Sequence, residues 1–509
     1  MRSIRYRPLL WKLLGLMAFL LAAPAWAEET STPAAKEESW DVIYLGDSRV
    51  GYARSTTMPV VRDGQKLIRS ETEMHMVIKR FGQALKITML ETYEETADGD
   101  VVSFSMSMNN PPFSSMKSTG IRSGDQLNIT TEIAGKKSHK KVAWDPEAKS
   151  PAYQQRLLEE QPLKPGETRT IKVFTSDSLQ FSTVDITAIG EEKVKLLDGK
   201  LHNLMKVAST MTLPGGVKIT SDSYLDKEGA TLRTTLPMAG LTMSMFRVEK
   251  SAALKELAGD ELDLGISTLV KVPRIKNAHQ ASKVVYSITM PGEDPAQFLI
   301  AGETQKIEKT TDPEVVTLSV TQAAKPKSGD SKTAAVDDDY TLPTPFLQSD
   351  DPTVAKHARL AVGDEQDAWK KALLLEQYVH QKLTKKNFST AMASAAEVAA
   401  NLEGDCTEHA VLLAAMARAA GIPSRIAAGL VYVDRLSSFG GHMWTEVYVA
   451  GHWIPLDATL GAGGIGGGHI KLSETSMADD AGAPITALLP MMTALAKIKI
   501  EVIDVEHAR

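Results

Sequence analysis

The sequence predicts an α+β protein in which a long β-rich N-terminal region precedes a C-terminal core of helices followed by strands. Three observations carry that expectation. From Trp40 to about Lys255, apolar and polar residues alternate in short runs between Gly and Asp turns, the pattern of half-buried antiparallel strands. From Ala410 to Ala420 the chain is rich in strong helix formers and apolar around most of its circumference, as a buried helix must be. Directly after it, residues 424–434, 442–449 and 452–457 read as three strands, the last two joined by the tight turn Ala450-Gly451.

Taken in order, residues 1–27 have the form of a signal peptide. Arg2, Arg5, Arg7 and Lys12 give a basic start, and Leu13 to Ala23 form an apolar run. That run is short for a membrane span of roughly 20 residues, and Ala25-Trp26-Ala27 fits the small-x-small cleavage rule. Cleavage implies a periplasmic or secreted protein with no stable membrane span. Losing four positive charges takes the formal net charge from −6 to −10, which argues against a nucleic-acid partner. An oxidising compartment permits disulfides, but one cysteine cannot form an intrachain bridge. A lone thiol in an exported chain is a flag for chemistry. No Cys/His cluster has zinc spacing, so neither metal nor cofactor is expected.

Residues 28–260 are expected to form the β-rich antiparallel domain, a large curved sheet or open barrel. Its clearest hairpin signal is Ala97-Asp98-Gly99-Asp100 between two strand candidates, and a helix at 151–160 interrupts it. Residues 261–321 read as a small β unit with strands at 267–272, 283–290, 298–300 and 315–320, thin for an immunoglobulin-like sandwich. Residues 322–345 are polar and read as a flexible connector. In 346–509, helices are expected at 352–362 and 364–383, and Ser394-Ala395-Ala396-Glu397 is a capping box opening a third. The glycine-rich stretch 461–468 lacks the strand, helix and lysine context of a phosphate cradle and reads as a mobile flap. A last strand is expected at 497–505.

The chemistry concentrates after Gly404. Gly404 and Asp405 supply a turn and an N-cap, which puts Cys406 at the N-terminus of the buried helix, where the helix dipole favours thiolate over thiol. A two-residue loop at Ala450-Gly451 sets Val449 opposite His452 and Trp444 opposite Asp457. His442 lies two residues from Trp444 on the same face, so Asp457 is its diagonal cross-strand neighbour, about 7 Å away by Cβ. A helix-terminal cysteine with a histidine held by a carboxylate is a nucleophile–base–orienter arrangement.

The blocks GDCTEHAVLLAAMARAAGIPSR, HMWTEV and WIPLDAT resemble the transglutaminase-like cysteine superfamily, over roughly residues 351–472. The resemblance implies a papain-like core with Cys406 as nucleophile, His442 as base and Asp457 as orienter. It leaves the reaction open among hydrolysis (protease or amidase), protein cross-linking by amine transfer, and a non-catalytic envelope scaffold. Hydrolysis is favoured because water is abundant in a periplasm, and the expected partner is a protein or peptide, including envelope or peptidoglycan peptides. Trp444 shares the face of His442 and either lines a substrate groove or packs in the core. His409 reads as a satisfied helix histidine and Glu408 as a solvated or salt-bridged one. The Cys406 N–H is a natural oxyanion donor; no second donor is evident.

Overall fold

The computed structural model describes residues 37–111, 113–212, 218–238, 240–257, 262–323, 336–390, 392–478, 484–495 and 497–507. The signal-peptide expectation and half of the connector, residues 324–335, lie outside these.

Among the described residues, fourteen strands between Glu37 and Val248 form one antiparallel sheet. It consists of two meanders, over residues 37–143 and 168–248, joined where the strand Glu37–Leu45 pairs with Leu241–Val248 (Trp40 opposite Val248, Leu45 opposite Met243). The helix Pro151–Glu160 links the two meanders. Ser150 Oγ accepts from Tyr153 N at 3.0 Å to cap it, and proline takes its first position, where no N–H is needed. The sheet curls back on itself. Tyr93 Oη donates to Phe174 O at 3.3 Å and accepts from Ser176 N at 2.9 Å, although the two strands lie nine places apart in the order. The curl encloses an apolar core of Ile43, Met74, Met89, Val184 and Met243, with Leu158 from the helix.

Residues 281–321 do not form a sandwich. The strands Gln305–Lys309, Val315–Thr321 and Ala281–Thr289 make a single sheet whose fourth member is Lys499–His507. Its core is shared with the C-terminal region: Tyr286, Ile288 and Leu318 pack with Leu430, Tyr432 and Ile470. Two expected strands are displaced by capped turns. Asp263 caps a helical turn at Leu264–Ser267, leaving only Val270–Lys271 in a strand, and Asp294 caps a 3₁₀ turn at Pro295–Gln297 before the expected strand 298–300.

In the C-terminal region the helices Pro352–Val362, Ala368–Lys382 and Ala395–Asn401 surround Cys406–Ala419. Each of the three has a side-chain N-cap, from Asp351, Asp367 and Ser394. Only Cys406 and Ala419 escape burial in the helix Cys406–Ala419, as its composition requires. It packs against a five-stranded sheet that includes Ser424–Val433, Ser438–Val449, His452–Leu456 and His469–Thr475. Two hydroxyls tie helix to sheet: Thr445 Oγ1 donates to Ala410 O at 2.9 Å and Ser424 Oγ to Ala414 O at 2.7 Å. The expected loop before His442 is strand instead, since Ser438 to Gly441 continue the pairing with the strand Ser424–Val433.

Candidate active site

Cys406 is the first residue of its helix and is partly exposed. Asp405 caps the helix, its Oδ1 accepting from Thr407 N at 2.8 Å. Glu408 closes the reciprocal half of a capping box, its Oε2 accepting from Asp405 N at 2.9 Å. Gly404 has a φ of 154°, and a Cβ there would sit 2.3 Å from the Glu408 Cβ, so glycine is what lets Glu408 fold back. Glu408 is therefore buried rather than solvated. Its other oxygen accepts from Ala393 N at 3.0 Å, fixing the preceding loop, and burial together with the Asp405 charge pushes its carboxyl up. His409 is buried and satisfied, with Nδ1 2.6 Å from Asp405 O.

The hairpin has the register its two-residue loop requires, with Val449 opposite His452 and Thr445 opposite Leu456. Asp457 follows directly, and its Oδ2 lies 2.8 Å from His442 Nε2. Ionised carboxylate only accepts, so His442 carries a proton on Nε2 and has Nδ1 left for exchange with a neighbouring group. Burial disfavours a charged His442, but the Asp457 and Cys406 charges and the hydrogen bonds to both raise it to about 10. Asp457 is held well below the usual carboxylate range; burial opposes this, and His442 and His469 outweigh it. The structure thus brings together the three residues singled out in the sequence.

It also brings a fourth. His469 is buried with Nε2 3.0 Å from the same Asp457 Oδ2, so two imidazole N–H groups share one acceptor. Burial lowers His469 to about 4, which keeps it neutral. His442, Asp457 and His469 each offer one ligand atom within 4.8 Å of one another. Both Nε2 atoms are spent on the carboxylate, the geometry of donors sharing an acceptor rather than of ligands around an ion. Trp444 is 1 % exposed, stacked on His442 at 6.3 Å and edge-on to His469 at 5.4 Å, so it walls the histidines.

The glycine stretch is packed, not a flap. A Cβ on Gly466 would lie 2.2 Å from His279 O, and Tyr286 Oη donates to Gly467 O at 2.6 Å. The loop is anchored again by Glu376, whose Oε1 accepts from Asp457 N at 3.0 Å and Gly464 N at 3.3 Å. Burial pushes Glu376 up to about 7 against those N–H groups. This buried carboxyl fixes the backbone on both sides of the Asp457 turn and delivers the chain to His469.

Residues 355–458, which span Cys406, His442 and Asp457, match the family model of the transglutaminase-like superfamily. This segment is similar to transglutaminase-like domains. Solved structures similar over part of the chain include a candidate cysteine protease from Cytophaga hutchinsonii, at 17% identity, 44% of this chain, 86% of that one and a TM-score of 0.29. Another is a β-barrel-like protein of a domain of unknown function from Brucella abortus, at 10% identity, 43% and 97% coverage and a TM-score of 0.32. A candidate protease from Parabacteroides distasonis follows at 11% identity, 78% and 69% coverage and a TM-score of 0.20. No curated protein matches the chain. Within this segment, the arrangement sets a thiol at a helix N-terminus near an imidazole held by a carboxylate, which can pass a proton to a leaving group.

Proposed function

We propose that the chain is an exported cysteine enzyme acting on amide bonds through a thioester, with Cys406 as nucleophile, His442 as general base and acid, and Asp457 as orienter. The observation that carries this is the position of His442, joined through Nε2 to Asp457 at 2.8 Å and close enough to Cys406 for the two to interact electrostatically. Cys406 Sγ attacks the amide carbonyl carbon, the C–N bond breaks as His442 protonates the amine, and an acyl thioester remains. Water, deprotonated by His442, then releases the acid; an amine in its place gives cross-linking. The Cys406 backbone N–H at the helix end supports the oxyanion. Trp444 holds the imidazole plane from behind. The papain-like core, the periplasmic location and envelope or peptidoglycan peptides as substrates belong to this reading.

The test pairs a labelled amine donor with a panel of envelope peptides, for the wild type and Cys406→Ala. Peptide cleavage lost in the variant supports hydrolysis. Amine incorporation lost in the variant supports transfer. Turnover unchanged in the variant removes Cys406 from the chemistry.

A further inference from the structure

Arg80 ends the strand Gln65–Arg80 in the N-terminal sheet, yet its Nη2 donates to Asp405 Oδ2 at 2.6 Å and its Nη1 to Thr390 O at 3.0 Å. The hairpin tip around it is fastened to the segment leading to the active site. Phe81 packs on Phe388 with ring centroids 5.0 Å apart, and Phe388 N donates to Gln83 Oε1 at 2.9 Å. Asn110 Nδ2 donates to Ser389 O at 3.1 Å. The tip itself is held in shape by Asp263, whose carboxylate accepts from Phe81 N and Gly82 N at 2.9 and 2.7 Å. A cation from the N-terminal sheet is thus seated on the residue that caps the catalytic helix.

We propose that Arg80 is a positioning residue of the active site: it clamps Asp405 as the helix cap and sets a positive charge beside Cys406, so that thiol reactivity depends on the docked N-terminal sheet. The inference rests on Cys406 being the nucleophile. Asp405 is buried one residue before Cys406, where its negative charge opposes a thiolate. Arg80 offsets that charge without releasing the cap. Among the described residues, other charged or titratable groups near this helix end include His442 from the strand Ser438–Val449, with Asp457 behind it, Glu408 from the helix itself, and Lys386. His409, on the same helix, is occupied by the Asp405 carbonyl and by Lys386 at 3.4 Å. Burial disfavours the Arg80 charge, and Asp405, Cys406 and Glu408 together outweigh it and keep the guanidinium protonated. A purely structural Arg80 would, on removal, lower stability without moving the pH profile of the thiol.

The experiment is iodoacetamide alkylation of the native full chain, followed by intact mass across pH, for the wild type, Arg80→Gln, Asp405→Asn and His442→Ala. Arg80→Gln is expected to raise the midpoint of the profile by about 1 pH unit. Asp405→Asn keeps a capping side chain but leaves the Arg80 charge uncompensated, and is expected to lower the midpoint. A folded Arg80→Gln protein with the wild-type midpoint overturns the inference. If that variant does not fold, an unmoved or raised midpoint in Asp405→Asn overturns it instead. A shift in His442→Ala alone leaves the triad standing and removes Arg80; a wild-type profile matching denatured protein removes the triad reading itself.

Discussion

Asp457→Asn takes away the charge around which His442 is placed. In the native site, Asp457 Oδ2 accepts from His442 Nε2 at 2.8 Å and His469 Nε2 at 3.0 Å, and Oδ1 accepts from Thr459 N at 2.8 Å. His442 lies at about 10 against an ordinary 6.5. At 1.36 kcal/mol per pH unit, that difference is on the order of 5 kcal/mol in favour of imidazolium. Asp457 is the larger favourable contributor and Cys406 the next. Every 1.36 kcal/mol of that preference lost lowers the rate about tenfold. The amide adds a second loss, because its NH₂ can donate to His442 Nε2 and move the imidazole proton to Nδ1, where it blocks transfer from sulfur. A wrong tautomer of this kind costs ~10⁴-fold in the serine triad. The expected loss is therefore about 10²–10⁴-fold in amide turnover, with the fold unchanged by circular dichroism. A rate within about twofold of wild type would remove Asp457 from the site.

Glu376→Gln should flatten the pH dependence of stability. Burial lifts the folded carboxyl to about 7 against an ordinary 4.5, so its contribution is complete below about 4.5 and is lost as pH rises through about 7. Denaturant unfolding at pH 5 and pH 8 should show the wild type losing on the order of 3 kcal/mol more than the variant over that interval; equal losses would remove the buried titration. Gly466→Ala puts a Cβ 2.2 Å from a backbone carbonyl that cannot rotate away. It should cost at least about 2 kcal/mol by the same measurement and slow alkylation of Cys406 at pH 6, because the loop carries His469 to Asp457; a neutral substitution would show that the loop yields.

The three residues of the proposed triad were legible because each sits in a short unit whose geometry is local. A cap and a run of helix formers place Cys406, and a two-residue turn with a period of two fixes the faces of His442 and Asp457. His469 was not legible, since it reaches Asp457 only through pairing of Leu430 with Ile470 and Val431 with His469 across a long loop. Glu408 carried a signal that was available: Asp405-Cys406-Thr407-Glu408 has the same capping-box spacing as Ser394-Ala395-Ala396-Glu397. The glycine stretch misled because glycine composition is the same whether a loop is free or pressed against other backbone. Arg80 lies 325 residues from its partner, and the fourth strand of the small sheet comes from the chain's end; no local pattern encodes either contact. The long meanders, by contrast, follow from alternation and turn residues, and what alternation omits is how far the sheet curls.

In the proposed mechanism His442 and the helix end together make Cys406 a reactive thiolate, and the pH profile of its alkylation tests this without a substrate. The chain has one cysteine, so intact mass reports one site. An ordinary thiol with a pKa of about 8.5 has almost stopped reacting at pH 6. Native Cys406 is expected still to alkylate there, and His442→Ala to move the profile toward that of denatured protein. Native protein that follows the denatured profile, or reacts only after unfolding, would contradict it.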